Sequence, residues 1–265
     1  MGASVIIAAA GSASRMNGID KVMHKIRGVE VFMYSVKAFD SAKCTDKIVV
    51  VTSEDKIDAI KARLEKENLK TPFEVILGAQ TRQKSVMNGL SACLEASNCI
   101  MIHDAARPMI TPALIDGLYE QIITENKMAA ALGVKVKDTI KCVDDGEAIT
   151  STPDRSALRI AQTPQGFEAQ LYRLAIGEAL KSGKDYTDDC QLVEAIGRKV
   201  YVAEGDYRNI KITTPEDLAL AQIYLKEREN AEDWKRIRRS QTKRGQGPYI
   251  RRSQDRTHIG ARRTF

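Results

Sequence analysis

Four short apolar runs, each followed by a segment with helical spacing, constrain this chain more than any other feature. Ser4–Ala10 is apolar almost throughout and ends at a Gly-Ser turn, the pattern of a strand covered on both faces. Lys47–Ser53 (KIVVVTS) repeats it. Ser53 is placed to cap a helix whose Ile57, Ile60 and Leu64 share one face. Phe73–Leu77 reads as a third strand, and Val86, Leu90, Cys93 and Leu94 mark the helix behind it. Cys99–His103 is a fourth strand, stopping at Asp104. Thr111-Pro112 then pairs an N-cap with a proline at the first helical position, ahead of Ile115, Leu118 and Ile122.

This rhythm implies right-handed βαβ units, hence an α/β fold with a mostly parallel sheet flanked by helices. Such sheets bind ligands beyond the carboxyl ends of their strands. Gly11–Lys21, Gly78–Ser85 and Asp104–Pro108 all fall there. The middle departs from the rhythm. Val134–Val143 alternates, Asp145-Gly146 signals a hairpin turn, and Ala148–Thr152 returns. Helices are expected near Glu168–Lys181 and over Asp188–Ile196, and strands at Val200–Ala203 and Ile210–Thr213. Thr214, Pro215 and Asp217 then open a capped helix. Asp188-Asp189 reads as negative charge at a helix N-terminus.

Charge divides the chain in two. Residues 234–265 hold eleven Lys or Arg against one acid, Asp255, whereas the rest has 30 basic and 34 acidic side chains. The basic segment is poor in aliphatic residues and repeats Arg-Arg-Ser-Gln at 238–241 and 251–254, so it is expected to be a disordered extension. Its cations could hold nucleic-acid phosphate non-specifically. Trp234, Tyr249 and Phe265 are too scattered to form a stacking surface, and a solvated extension is the preferred reading. The first 229 residues form the domain. Five cysteines, odd in number and without C-x-x-C spacing, indicate reduced thiols. No apolar run approaches the length of a membrane span, and the apolar N-terminus lacks the basic start of a secretion signal. A cytoplasmic protein is expected.

Ala8-Ala9-Ala10-Gly11-Ser12-Ala13-Ser14-Arg15-Met16 places small residues directly after the first strand, where backbone N–H groups can approach an anion. The segment is neither G-x-G-x-x-G nor a Walker A loop. Arg15 and Lys21, close behind, favour phosphate because both stay cationic at neutral pH. His103 reads as structural, since no nucleophile or partner base accompanies it.

AAAGSASRM with Asp20-Lys21, GAQTRQKSVMNGL, IHDAARP, VKDTIK, TPDRSAL, AQTPQGF, YTDD and NIKITTPEDLALA occur in that order. Together they resemble the 2-C-methyl-D-erythritol 4-phosphate cytidylyltransferases of non-mevalonate isoprenoid biosynthesis, over roughly residues 3–228. The related ribitol-5-phosphate cytidylyltransferases share much of the pattern, but the first loop and IHDAARP favour the methylerythritol branch. The resemblance implies a Rossmann-like fold of the nucleotide-diphospho-sugar transferase type with a protruding β-arm at about 137–160. It implies attack of a phosphomonoester oxygen on the α-phosphate of CTP with loss of pyrophosphate, assisted by Mg²⁺ on Asp104.

In that pattern Arg15 and Lys21 stabilise the triphosphate, while Lys211 and Arg155 hold the acceptor. Nucleotide contacts fall on Ala9, Ala10, Gly11, Ser12, Gly78, Ala79, Gln80, Ser85, Asp104 and Ala105. Acceptor contacts fall on Arg107, Thr139, Thr163 and Thr187 besides Arg155 and Lys211. Arg155 lies on the arm and reaches a partner's site, so a catalytic homodimer is expected. The chain departs from the pattern at Ala13, where a second glycine is usual, and at Asp20, where proline is common. Its Arg15-to-Lys21 spacing is also one residue short.

Overall fold

The computed structural model describes residues 1–11 and 18–243. The chain divides into a compact unit spanning Met1–Tyr224 and a second that begins at Leu225.

The first unit is built on a seven-stranded sheet. Chain order begins with β1 (Ala3–Ala8), a small antiparallel pair β2 (Lys25–Ile26) and β3 (Val29–Glu30), α1 (Val31–Ser41), β4 (Thr45–Thr52) and α2 (Ile57–Glu65). It continues through β5 (Phe73–Leu77), α3 (Arg82–Leu90), β6 (Cys99–Asp104), α4 (Pro112–Ile123) and β7 (Ala129–Lys135). Then come β8 (Cys142–Val143), β9 (Ile149–Ser151), β10 (Arg159–Glu168), α5 (Ala169–Ser182), α6 (Asp189–Ala195) and β11 (Tyr201–Glu204). The helix α7 (Pro215–Lys243) follows.

Strands stand in the order β11-β7-β10-β6-β1-β4-β5. All run the same way except β10, which is antiparallel to both neighbours. The chain leaves β1 toward β4 and β5, then returns to place β6 on the other side of β1. That reversal is the switch point at which doubly wound sheets open a crevice.

Burial explains the regularity of the central strands. In β1, Val5, Ile6 and Ile7 are fully buried, as are Ile48, Val49, Val50 and Val51 in β4. Alternate residues serve the two faces. Val5, Ile7, Ile48 and Val50 meet Phe32, Met33 and Phe39 of α1, whereas Ile6, Val49 and Val51 meet α3 and α5. A methyl at Gly89 would stand 2.6 Å from Val51 Cγ2 and 2.9 Å from Ile6 Cγ2, so this glycine lets α3 press directly onto the sheet. The cap expected at Thr111 is present, its hydroxyl accepting from the Leu114 N–H at 3.4 Å.

Three expectations need correction. Ile210–Thr213 has strand-like alternation but joins no ladder; its Ile212 N–H bonds the Ala106 carbonyl at 2.8 Å, and the Asp217 carboxylate takes the Thr213 and Thr214 N–H groups. β10 had no counterpart in the sequence reading, since its first three residues are exposed and its ladder to β7 shifts register between Ala161 and Gln165. Finally, residues 230–243, expected to be disordered, are helical. That stretch is rich in Lys, Arg, Glu, Ala and Gln and meets no Gly or Pro before Gly245, so local propensity carries the helix on. Residues 244–265 lie outside the described residues.

The hairpin expected around Asp145-Gly146 forms between β8 and β9. Asp144 Oδ1 closes its turn by accepting from Gly146 N and Ala148 N. Residues 137–152 are all exposed, including Ile140, Val143 and Ile149. Cys44, Cys93, Cys99 and Cys190 are buried free thiols, and Cys142 is an exposed one. Among the described residues no helix is long and apolar enough to cross a membrane.

Candidate active site

Asp104 is the centre of the site because of where β6 ends. The strand runs parallel to β1 through the core and delivers Asp104 beside Ala8, at the switch point. Its backbone N–H donates to Thr163 Oγ1 at 3.0 Å, which fixes the residue from the β10 side. Its carboxylate faces three cations. Lys211 Nζ is 2.9 Å and Arg107 Nε 3.6 Å from Oδ2, and Arg82 Nε is 3.8 Å from Oδ1. Burial alone would raise the pKa of this carboxyl. Lys211 first, then Arg82 and Arg107, outweigh burial and hold it at about 2. Asp104 is therefore a permanent anion at neutral pH.

Each cation is placed by its own element. Lys211 lies on the segment tied to Ala106 through Ile212. Arg107 donates from Nη1 to the Asn209 carbonyl at 2.8 Å, and the fully buried Asn209 donates from Nδ2 to the Thr163 carbonyl. Burial lowers the Arg107 pKa despite Asp104. Arg82 is the first residue of α3. Burial would lower its pKa too, but Asp189 and Asp104 raise it.

The cleft around Asp104 has a volume of about 350 Å³, within the range of small-molecule sites. Ala8, Ala10 and Gly11 form one wall, Ala79–Arg82 and Ser85 a second, and Lys21, Asp104, Ala106 and Lys211 the floor and rim. The second wall is closely built. Gly78 N–H bonds the Thr52 carbonyl at 2.7 Å, and a methyl at Gly78 would come within 2.8 Å of Ala10 Cβ. Ser85 Oγ accepts from Ala79 N–H and donates to the Thr81 carbonyl, both at 2.8 Å. These contacts pin the Gly78–Ser85 loop in place beside Ala10.

The cleft brings together Ala10, Gly11, Lys21, Ala79, Gln80, Ser85, Asp104 and Lys211 from the residues singled out in the sequence. Ala9 is buried beneath it, with its N–H on the Val51 carbonyl, and Ala105 likewise bonds Ala8. Thr163 and Arg107 touch Asp104 from outside the lining. Thr139, Arg155 and Thr187 do not line the cleft of this chain. Arg155 Nη1 donates to the Lys137 carbonyl at the base of the exposed hairpin, and Thr187 Oγ1 accepts from Gln191 Nε2. Ser12 and Arg15 lie outside the described residues.

Two residues were missed or misread. Arg82 was not singled out, although Thr-Arg-Gln at the start of a helix beside a glycine loop is a phosphate-friendly signal. Asp188 does cap α6, accepting from Gln191 N at 3.0 Å. Asp189, however, is 1% exposed and sits 2.7 Å from Arg82 Nη1 rather than serving the helix end alone.

His103 is structural, as read. It is fully buried, its Nδ1 sharing a hydrogen bond with Thr163 Oγ1 and its Nε2 with the Arg107 carbonyl, and Phe39 packs edge-on at 5.2 Å. Burial pulls its pKa down to about 4, against the raising influence of Asp104. The unfolded chain protonates this histidine near pH 6.5 and the folded chain only near 4. The unfolded state thus binds more protons between those values, and stability falls as pH drops through the window. The expected loss is about 3 kcal/mol. Urea midpoints recorded from pH 7.5 to 4.5 should show it, and His103→Gln should flatten the profile.

Asp104 is the one carboxylate among the described residues that line the cleft, and no group of three metal-ligating side chains occurs among the described residues. This donor set does not make an all-protein cage. It fits a hard divalent ion that brings most of its oxygen ligands with a polyphosphate, as Mg²⁺ commonly does.

Residues 3–227 match the family of 2-C-methyl-D-erythritol 4-phosphate cytidylyltransferases. A protein of that name from Caldanaerobacter subterraneus subsp. tengcongensis is 44% identical over 228 residues, covering 85% of this chain and 100% of the relative. One from Clostridium botulinum is 41% identical over 224 residues, 84% of this chain and 96% of its own. The crystal structure of 4-diphosphocytidyl-2C-methyl-D-erythritol synthase from Anaerococcus prevotii superposes with a TM-score of 0.75 at 33% identity, covering 85% of this chain and 98% of that one.

Proposed function

Because the chain belongs to the 2-C-methyl-D-erythritol 4-phosphate cytidylyltransferase family, we infer that it transfers the cytidylyl group of CTP to 2-C-methyl-D-erythritol 4-phosphate. The products are 4-diphosphocytidyl-2-C-methyl-D-erythritol and pyrophosphate, an isoprenoid precursor step. One observation carries the reading at the level of chemistry: a permanent carboxylate ringed by Lys211, Arg82 and Arg107, in a cleft at the sheet's switch point.

Two anions must meet in this reaction, and negative charge gathers around the α-phosphate in the transition state. Fixed cations are the main requirement. Lys21 on the rim, with Arg15, neutralises the triphosphate. The Ala10–Gly11 wall and the Gly78–Ser85 loop, with Ser12, receive the nucleoside through backbone polar groups, and Ala9 and Ala105 support that wall from beneath. Lys211 turns from Asp104 to the acceptor's phosphate, and Arg107 and Thr163 keep Asp104 in place as it does so. Asp104 would hold a divalent ion, Mg²⁺ in this reading, whose contribution is to offset charge on the nucleotide's phosphate oxygens.

The transferase domain comprises residues 1–229, and the basic extension stands outside the reaction. We place the protein in the cytoplasm as a homodimer. The exposed hairpin region, with Ile140, Val143, Ile149 and Ile160 bare, supports an arm that pairs with a second copy. Arg155, and with it Thr139, then serve the partner's cleft, while Thr187 approaches the acceptor from the loop ahead of α6.

Pyrophosphate release with CTP and Mg²⁺ tests the substrate. Turnover is expected with 2-C-methyl-D-erythritol 4-phosphate; turnover with ribitol 5-phosphate in its place would reassign the acceptor. Subunit mixing tests the arm. Arg155→Ala and Lys211→Ala proteins are each expected to be inactive, and co-refolding them should restore turnover, because a mixed dimer contains one site with both residues intact. Mixtures as inactive as their parents would place Arg155 outside its neighbour's site.

A further inference from the structure

Arg82 is given no substrate contact in the roles above, yet it is a firmly held cation of the cleft. Its Nη1 is 2.7 Å from Asp189 Oδ2 and its Nε 3.8 Å from Asp104 Oδ1. Asp189 is in turn fixed: Oδ1 accepts the Tyr172 hydroxyl at 2.6 Å, and its N–H donates to Gln165 Oε1 at 3.0 Å. Tyr172 is fully buried and stacks on Phe167 with centroids 4.7 Å apart. The residues on either side of Arg82 tie down the same loop. Thr81 Oγ1 donates to Asp185, Gln83 Nε2 donates to the Lys184 carbonyl, and Tyr186 N–H donates to Gln83 Oε1.

Enclosing a carboxylate such as Asp189 costs several kcal/mol unless a charge meets it, and an arginine needed only for solubility requires no such anchor. Arg82 nevertheless stays 31% exposed in its side chain and lines the cleft. The local charge points outward as well. Arg82, Arg107 and Lys211 outnumber the two carboxylates they meet, Asp104 and Asp189, so this cluster carries net positive charge toward a ligand. A guanidinium whose plane is already fixed binds phosphate oxygens with little ordering cost.

We propose that Arg82 is a further phosphate-binding cation of this site, contacting phosphate oxygens of the nucleotide, and that Asp189 and Tyr172 are its positioning residues. This rests on the reading of the cleft as a nucleotide site. Calorimetric binding of CTP and steady-state turnover are the paired measurements. Arg82→Met should weaken CTP binding about tenfold and lower kcat/KM by ~10², with unchanged far-UV circular dichroism. Arg82→Lys should recover part of both. Millimolar guanidinium should restore part of the turnover of Arg82→Ala, which it does not do for a residue that merely supports the fold. Asp189→Asn should lower kcat more than it weakens CTP binding, because the arginine remains but loses its fixed plane.

Parental CTP affinity and turnover in Arg82→Met would overturn the proposal while leaving the reading of the cleft intact. If Arg82→Met fails to fold, Arg82→Gln decides: parental affinity and turnover there would show that no cation is needed at this position, and the proposal falls. A parent chain that binds no CTP would sink the reading and this role together.

Discussion

Lys211→Ala is expected to lower kcat/KM for cytidylyl transfer by ~10³, with the melting temperature almost unchanged. The two effects separate because of where the side chain sits. It is 39% exposed while Asp104 is 11% exposed, so water screens the lysine end of the pair and its removal costs little stability. Asp104 keeps Arg82 and Arg107 when Lys211 is gone. The reaction, by contrast, loses the cation that meets the acceptor's phosphate. The loss should fall on kcat and on the acceptor's KM, leaving CTP affinity close to that of the parent. Pyrophosphate release and a thermal melt on one preparation check both halves; turnover within tenfold of the parent would remove Lys211 from its role.

Asp104→Asn should behave differently, failing in both stability and turnover. The side chain keeps its shape, but Lys211 and Arg107 then lose their anion, and Arg82 is left with Asp189 alone. Lys211 can swing into water. Arg107, 11% exposed in its side chain and with its Nε lacking a hydrogen-bond partner, cannot. Leaving a buried charge uncompensated costs roughly 3 kcal/mol, readable in urea unfolding at pH 7. Turnover is expected to fall by ~10³. CTP should still bind, since subtracting an anion leaves a phosphate site more positive. Parental unfolding and turnover in this variant would contradict the place given to Asp104.

The parts of this architecture that sequence could announce are those buried on both faces. β1, β4 and β6 have apolar runs because helices cover both sides of a parallel sheet; β5, at the sheet's edge, is only partly buried, yet Phe73–Leu77 coincides with it residue for residue. β10 stayed hidden for the opposite reason. Its first three residues are exposed, its ladder shifts register, and small and polar residues in Ala161–Gly166 replace an apolar period. Ile210–Thr213 misled because alternation marks a strand only when a neighbour offers a ladder, and here Ala106 and Asp217 take the backbone groups instead. Within the site, Lys21 and Asp104 were legible as charges beside strand ends, whereas Lys211 was reached only through the family resemblance. Asp189 was not: its helix-cap position explains a carboxylate well enough, and only the three-dimensional approach of α3 to α6 reveals Arg82 against it.

The cleft draws its walls from residues 8–11, 21–22, 79–85, 104–106 and 211. Nothing local assembles it, and the closure of long loops between those stretches slows such topologies relative to helical ones. A chain still on the ribosome, with the last of these residues not yet emerged, has no place for a nucleotide to dock. Occupancy can therefore reward only the finished fold. CTP should slow global opening and raise the denaturation midpoint in proportion to the logarithm of its concentration, without speeding the search that builds the sheet.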